Sequence, residues 1–404
     1  MNKTININRL EGINERIRIL SIFILCFQGF GIRIFQGVFS GAIVLWMIVL
    51  LILNWHTLSQ MPKKIWIALS SIILFSILFD FVKGAQTQYY LYCAWISGVI
   101  VMSNYINAKY SFVSDLSKFT NFCMWYSLVH IPIMFLFKEF IFKTSFGMSP
   151  STFMYLLYFN NSETLLPYRI QGFCWEPSCW NLLLNINLLL AFYLNKSKSY
   201  IAFNIIAILF VFSTTGLMTM LGVIAMSTLI LKGFKVRFVI LGIIALLIVA
   251  PFVINEFNQK MGTGSGVARQ GDLAIAAAVI QEHPWVGVDP KTITSNPIAI
   301  RAREETWDVS GDYEGYMEQG MINSFAALIV KWGVPLFLII IICLFKTPLF
   351  NDKVLSICFA FTLCLVLNGT PIANTGFFYM FVLSNILMRN KNKGLFRKNE
   401  TIKY

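Results

Sequence analysis

Residues 169–180 read RIQGFCWEPSCW, and two of them could do chemistry together. Arg169 carries a planar, permanently charged group that grips phosphate through several donors. Glu176 carries a carboxylate able to take a proton from an attacking hydroxyl. Phe173, Trp175 and Trp180 stand around them, where aromatic faces would meet sugar rings or a membrane interface. Pro177 follows the acid and suits the first turn of a helix, so Glu176 is expected at a helix N-terminus. That position favours the carboxylate. It suits a general base, a sugar-binding acid and a structural acid paired with Arg169, and all three readings stay open.

The other familiar chemistries lack their residues. There are three histidines, at 56, 130 and 283, with no HExxH and no CxxC, so a metal site has no ligand set. GTGSG at 262–266 has no strand before it and no GK[ST] after it, which leaves it as a flexible lead rather than a phosphate loop. No GxSxG marks a serine hydrolase. What remains is a set of fixed arginines (Arg169, Arg269, Arg301, Arg303) with carboxylates including Asp272, Asp289 and Glu318. Residues 255–321 hold five basic and ten acidic residues, so an anion there must be held by particular arginines and not by a general field.

The elements that position these groups are membrane spans. The chain has 404 residues, 57% hydrophobic and only 13% charged, where soluble domains are about a quarter charged. Apolar runs predict an all-α polytopic membrane protein with twelve spans, at 17–33, 36–54, 65–82, 89–106, 119–138, 178–194, 200–213, 216–231, 237–254, 322–345, 354–369 and 373–388. No cleavable signal peptide pattern precedes the first, which reads as a retained start-transfer helix. With the N-terminus inside, 21 of the 32 lysines and arginines fall in inner segments, so both termini are expected in the cytoplasm. The net charge of +13 is then a topology signal and gives no ground for a nucleic-acid partner.

The chain reads as one integral domain with two long outer loops, 139–177 and 255–321. Within the second, 269–282 has the pattern of a short amphipathic helix stopped by Pro284. Asp80, His130 and Lys331 are the ionisable residues inside spans, each a functional candidate unless it pairs locally. Of the eight cysteines only Cys174 and Cys179 reach the outer mouth, and they are expected as free thiols.

Four stretches in order carry a resemblance: RIQGFCWEPS before a span, FSTTGLMTMLGV at an outer turn, ARQGDLAIAAAVIQEHPWVGV, and NSFAALIVKWGVPLFLI opening the next span. Together, over about 165–345, this order resembles the O-antigen polymerase and O-antigen ligase superfamily, inner-membrane glycosyltransferases of GT-C type with two long periplasmic loops. The resemblance implies a Gram-negative inner-membrane polymerase that joins undecaprenyl-pyrophosphate-linked oligosaccharide repeat units at the periplasmic face, with no cofactor. A chain-length regulator protein would be a further partner. It implies Glu176, Arg169 and Arg269 as catalytic residues. Arg301, Arg303, His283, Glu318, Asn323 and Trp175 would bind pyrophosphate or sugar, with His283, Pro284 and Gly287 forming the turn that ends the second-loop helix. Two positions depart from the pattern. Asp289 stands where the family often has a second glycine, and Ile322 stands where ligases keep a histidine beside Asn323. The second departure favours polymerase over ligase. A lipid-linked oligosaccharide flippase is the alternative from another class, and it predicts short loops and two related halves.

Overall fold

A computed structural model of the chain describes residues 2–30, 39–84, 89–106, 110–143, 151–161, 168–174, 176–231, 264–289, 321, 323–370 and 372–388. Thirteen α-helices lie in these residues. They are α1 (Asn2–Phe30), α2 (Phe39–Leu53), α3 (Trp55–Ser59), α4 (Lys63–Val82), α5 (Tyr89–Ser103), α6 (Phe112–Leu136) and α7 (Pro177–Tyr193). Then follow α8 (Lys198–Val211), α9 (Thr214–Met226), α10 (Gly264–Glu282), α11 (Ser324–Phe345), α12 (Lys353–Leu367) and α13 (Gly376–Met388). Three of them, α4, α6 and α11, are long and apolar enough to cross a membrane, and several shorter apolar helices accompany them. Eleven of the twelve expected spans coincide with a helix; the span expected at 237–254 lies outside the described residues.

The bundle is built around α7, which is buried on every side from Pro177 to Ala191. Its asparagines are placed by neighbours: the Asn187 carbonyl oxygen accepts from Thr120 and Tyr200 at 3.0 Å each, and Asn185 Nδ2 donates to Gly216 O at 3.1 Å. Polar pairs of this kind hold helices together where lipid removes the hydrophobic drive between them. Small residues do the same for α5 and α13. A side chain on Gly98 would stand 2.8 Å from Gly376 O, and one on Gly376 would stand 2.7 Å from Ala94 O. The Ala94–Gly98 pair therefore lets the two backbones touch.

The all-α expectation needs one correction. The segment expected as the first outer loop folds into an antiparallel four-stranded sheet in the order β1 (Phe142–Lys143), β2 (Ser151–Phe153), β3 (Leu157–Asn161), β4 (Tyr168–Ile170). Phe159 faces Ile170 and Asn160 faces Arg169 across β3 and β4. Strands of two to five residues have no independent stability. They form here because Met134, Ile141, Leu157 and Phe159 make a separate apolar cluster against the end of α6.

The segment expected as the second outer loop contributes α10, which ends at Glu282 as expected but starts at Gly264, so Gly264–Gly266 are helical and not a flexible lead. It runs beside the first half of α11 in the same direction, burying Ile275, Ala276 and Val279 against Ala326 and Val330. α11 breaks at Gly333 (φ 68°, ψ 172°), two residues before Pro335. The turn after α10 fills the break. Val288 N–H donates to Val330 O at 2.7 Å and Val334 N–H donates to Pro284 O at 2.9 Å, so both groups that an unbroken helix would pair are satisfied from outside it.

Two glycines permit this approach. A side chain on Gly287 (φ +69°) would meet Val330 O at 2.2 Å, and one on Gly333 would meet the Trp285 backbone at 2.7 Å. Gly333→Ala is expected to destabilise the protein by at least the ~1–3 kcal/mol that a left-handed backbone costs a residue with a side chain. Thermal unfolding of the detergent-solubilised protein checks this, with Gly12→Ala, a helical glycine where an added Cβ meets nothing within 4 Å, as the control expected to lose no stability.

Candidate functional site

The turn between β4 and α7 is held by its own side chains. Gln171 Nε2 donates to Cys174 O at 2.9 Å, and Gly172 takes φ +63° because Trp180 lies against it, 2.0 Å from where a Cβ would be. The Trp180 indole donates to Ser127 Oγ at 2.7 Å, and Phe173 packs on Tyr126 (4.4 Å between centroids) and edge-on to Phe27 (5.7 Å). Phe173 and Trp180 are thus core groups and not free sugar platforms. Trp175 lies outside the described residues.

Glu176 occupies the N-cap of α7 in extended conformation, with Pro177 at the first helical turn, as the sequence reading expects. Its carboxylate accepts from the Ser178 hydroxyl and lies 4.0 Å from Cys179 Sγ. Both Glu176 and Arg169 are half-buried. All eight cysteines are free, and burial pushes the Cys174 thiol well above the ordinary thiol range.

A second group forms where α10 meets α11. Arg269 Nη2 donates to Gly369 O at 3.1 Å in the turn between α12 and α13. Asp272, one helical turn on and 4% exposed, accepts from Asn323 N–H at 2.9 Å. Asn323 caps α11, accepting from Phe325 N and Ala326 N at 3.0 and 3.2 Å, while its Nδ2 donates to Asn368 Oδ1 at 3.0 Å. The Ser324 hydroxyl donates to Thr370 O at 2.6 Å. Arg269 and Asn323, candidates from different stretches, thus meet at adjacent residues of one turn.

Contacts between glycines and side chains join the two groups. A Cβ on Gly369 would fall 2.3 Å from Thr215 Oγ1, and one on Gly216 would fall 2.0 Å from Asn181 Nδ2. Thr215 and Gly216 form the first turn of α9, capped by Ser213, whose hydroxyl accepts from Gly216 N–H. Asn181 lies in the outer part of α7, shortly after Glu176. Contacts therefore run Asn181–Gly216–Thr215–Gly369–Arg269 and bring the starts of α9 and α11 to α7, where Glu176 precedes Asn181 at the N-cap. Ser213 and Asn323 cap N–H groups at the starts of α9 and α11, and each such end still carries partial positive charge. Together with Arg269 this arrangement suits an anion.

Asn181, Thr215 and Gly369 were not among the sequence candidates. The polar interruptions STTG and NGT inside apolar runs were the available signal. His283 stands apart. It is exposed, about 21 Å from Arg269 along the α10 axis at 1.5 Å per residue, and its carbonyl accepts from Gly287 N–H at 3.0 Å to close the turn. Arg301, Arg303 and Glu318 lie outside the described residues.

The ionisable residues expected inside spans behave differently from one another. His130 is buried with Nδ1 2.8 Å from Tyr126 O. Asp80 and Lys331 gather beside the break in α11: Asp80 lies 3.9 Å from Lys83, and Lys83 Nζ donates to Lys331 O at 2.5 Å. Burial holds the Lys83 ammonium below the ordinary lysine range, with Asp80 and Asp289 offsetting part of the effect. Among the described residues, no group of three or more His, Cys, Asp or Glu side chains could hold a metal ion.

No known family profile matches the chain, and neither a curated protein nor a solved structure matches it.

Proposed function

We propose that the chain is a surface-polysaccharide polymerase of the O-antigen polymerase kind, acting at the periplasmic face of the inner membrane on undecaprenyl-pyrophosphate-linked repeat units. The observation that carries this reading is the joining of Arg269 to the starts of α9 and α11 and to α7, where Glu176 is the N-cap. In the proposed reaction a sugar hydroxyl of one lipid-linked unit attacks the anomeric carbon of the growing chain. The glycosidic bond to lipid pyrophosphate breaks, and the attacking hydroxyl loses its proton to Glu176. The leaving pyrophosphate gains negative charge as that bond breaks, so fixed positive groups aimed at it lower the barrier. One base facing one leaving group implies inversion, since retention uses a second, nucleophilic carboxylate.

The lipopolysaccharide ladder of a deletion strain tests the reading. A single repeat unit per core is expected; complete absence of O-antigen would point to a ligase or a flippase instead. The broken helix α11 beside Asp80 and Lys331 is the one feature that favours a transporter, since transporters bind ions at interrupted helices. Here the freed Val330 carbonyl and Val334 amide are both taken by the turn after α10, which leaves that backbone closed to an ion.

A further inference from the structure

Strand β3 of the sheet lies beside α6 and not above it. Tyr126 is ten residues before the end of α6, about 15 Å down its axis, yet its hydroxyl donates to Leu156 O at the tip of the β2–β3 hairpin. Phe159 packs on His130 (4.9 Å), while Phe153 packs on Phe137 (6.0 Å) and Tyr155 on Phe142 (5.1 Å), so β3 lies against the last turns of α6 and β2 lies at its end. The neighbouring α8 gives the same level: Phe203 lies 6.0 Å from Trp125, and Phe210 lies 6.0 Å from Phe135 near both helix ends.

Four carbonyls of the hairpin are paired within the protein. Phe153 O accepts from Leu156 N–H (3.1 Å), Tyr155 O from the Tyr158 hydroxyl (2.8 Å), Leu157 O from Thr152 Oγ1 (3.1 Å), and Leu156 O from Tyr126. Hydrocarbon demands such internal partners, whereas a solvated turn leaves its carbonyls to water. The two central residues, Met154 (φ 53°) and Tyr155 (φ 54°), occupy left-handed positions where Asn-Gly is the preferred pair. They carry large apolar side chains instead, and Met154, Tyr155 and Leu156 are 67%, 60% and 66% exposed. Phe135 and Leu136, exposed on the end of α6, continue that surface.

We propose that the β2–β3 hairpin is a re-entrant membrane element, its Met154–Leu156 tip immersed among the lipid acyl chains of the leaflet crossed by the last turns of α6. This rests on α6 crossing the bilayer and not on the reaction proposed above. The test places a nitroxide on Tyr155→Cys, Met154→Cys and Leu156→Cys of the full-length protein in phosphatidylethanolamine–phosphatidylglycerol vesicles. The signal of identically treated unmodified protein is subtracted. Collision with oxygen and with a water-soluble nickel chelate is then measured. Leu74→Cys, exposed in the middle of α4, gives the acyl-chain reference, and Lys196→Cys, exposed in the turn after α7, gives the aqueous one. The oxygen-to-nickel ratio at the tip is expected to match that of Leu74, roughly tenfold above that of Lys196, because the polar chelate is excluded from hydrocarbon. Tip ratios equal to that of Lys196 overturn the proposal. Leu156, which has ordinary backbone, keeps the measurement decisive if the left-handed positions do not tolerate cysteine.

Discussion

Arg269→Ala is expected to abolish chain extension, and Arg269→Lys to restore little of it. Arg269 spends one guanidinium nitrogen on Gly369 O at 3.1 Å, which fixes the plane of the fork beside the first turn of α9. A lysine ammonium is a point charge on a flexible stem and cannot hold that carbonyl and a phosphate in one fixed geometry. Removing a single preorganised donor from developing negative charge costs on the order of 100- to 1,000-fold in turnover. Purified protein and lipid-linked repeat units give the measurement. Full turnover in the lysine variant would mean that the position supplies only a diffuse positive field.

The second large effect concerns the base. Glu176→Gln keeps the extended N-cap and can still accept from Ser178, but it cannot take a proton. If Glu176 is the general base, the variant binds the lipid-linked unit normally while turnover falls by roughly two to four orders of magnitude. If the residue only starts α7, protein yield or binding suffers and chemistry on the surviving protein stays near normal. Glu318→Gln measured alongside gives the alternative acid its chance. Activity lost only there moves the base to Glu318.

The helices were legible in the sequence because an apolar run needs no knowledge of its partners. The sheet was not. Its strands contain two to five residues, and FMYLLYF across the β2–β3 tip alternates in no useful way. What pairs β2 with β3 is the face of α6 that carries Tyr126, His130 and Met134, which lies outside the strands' own stretch of sequence. The site divides in the same manner. Glu176 stood out as a charged group at the edge of an apolar run, Arg269 as a fixed arginine of the second loop, and Asn323 through the resemblance. Asn181, Thr215 and Gly369 acquire meaning only when α7, α9 and the α12–α13 turn touch. His283 was a candidate through the resemblance, as part of the turn that ends the second-loop helix, and the length of α10 separates it from Arg269.

The parallel pair formed by α10 and α11 has a consequence for length. α10 is fastened to its neighbour twice, by Asp272 at Asn323 and by the turn after it at Val330 and Val334. One residue inserted between Asp272 and His283 would advance the helix by about 1.5 Å and rotate it by about 100°. If the turn stayed seated in the break, Arg269 would swing away from Gly369; if Arg269 stayed, the turn would leave α11 open. The segment therefore works as a gauge of fixed length and phase. It can accept substitutions along its exposed side, but a change in residue count between its two ends would put the arginine and the helix break out of register.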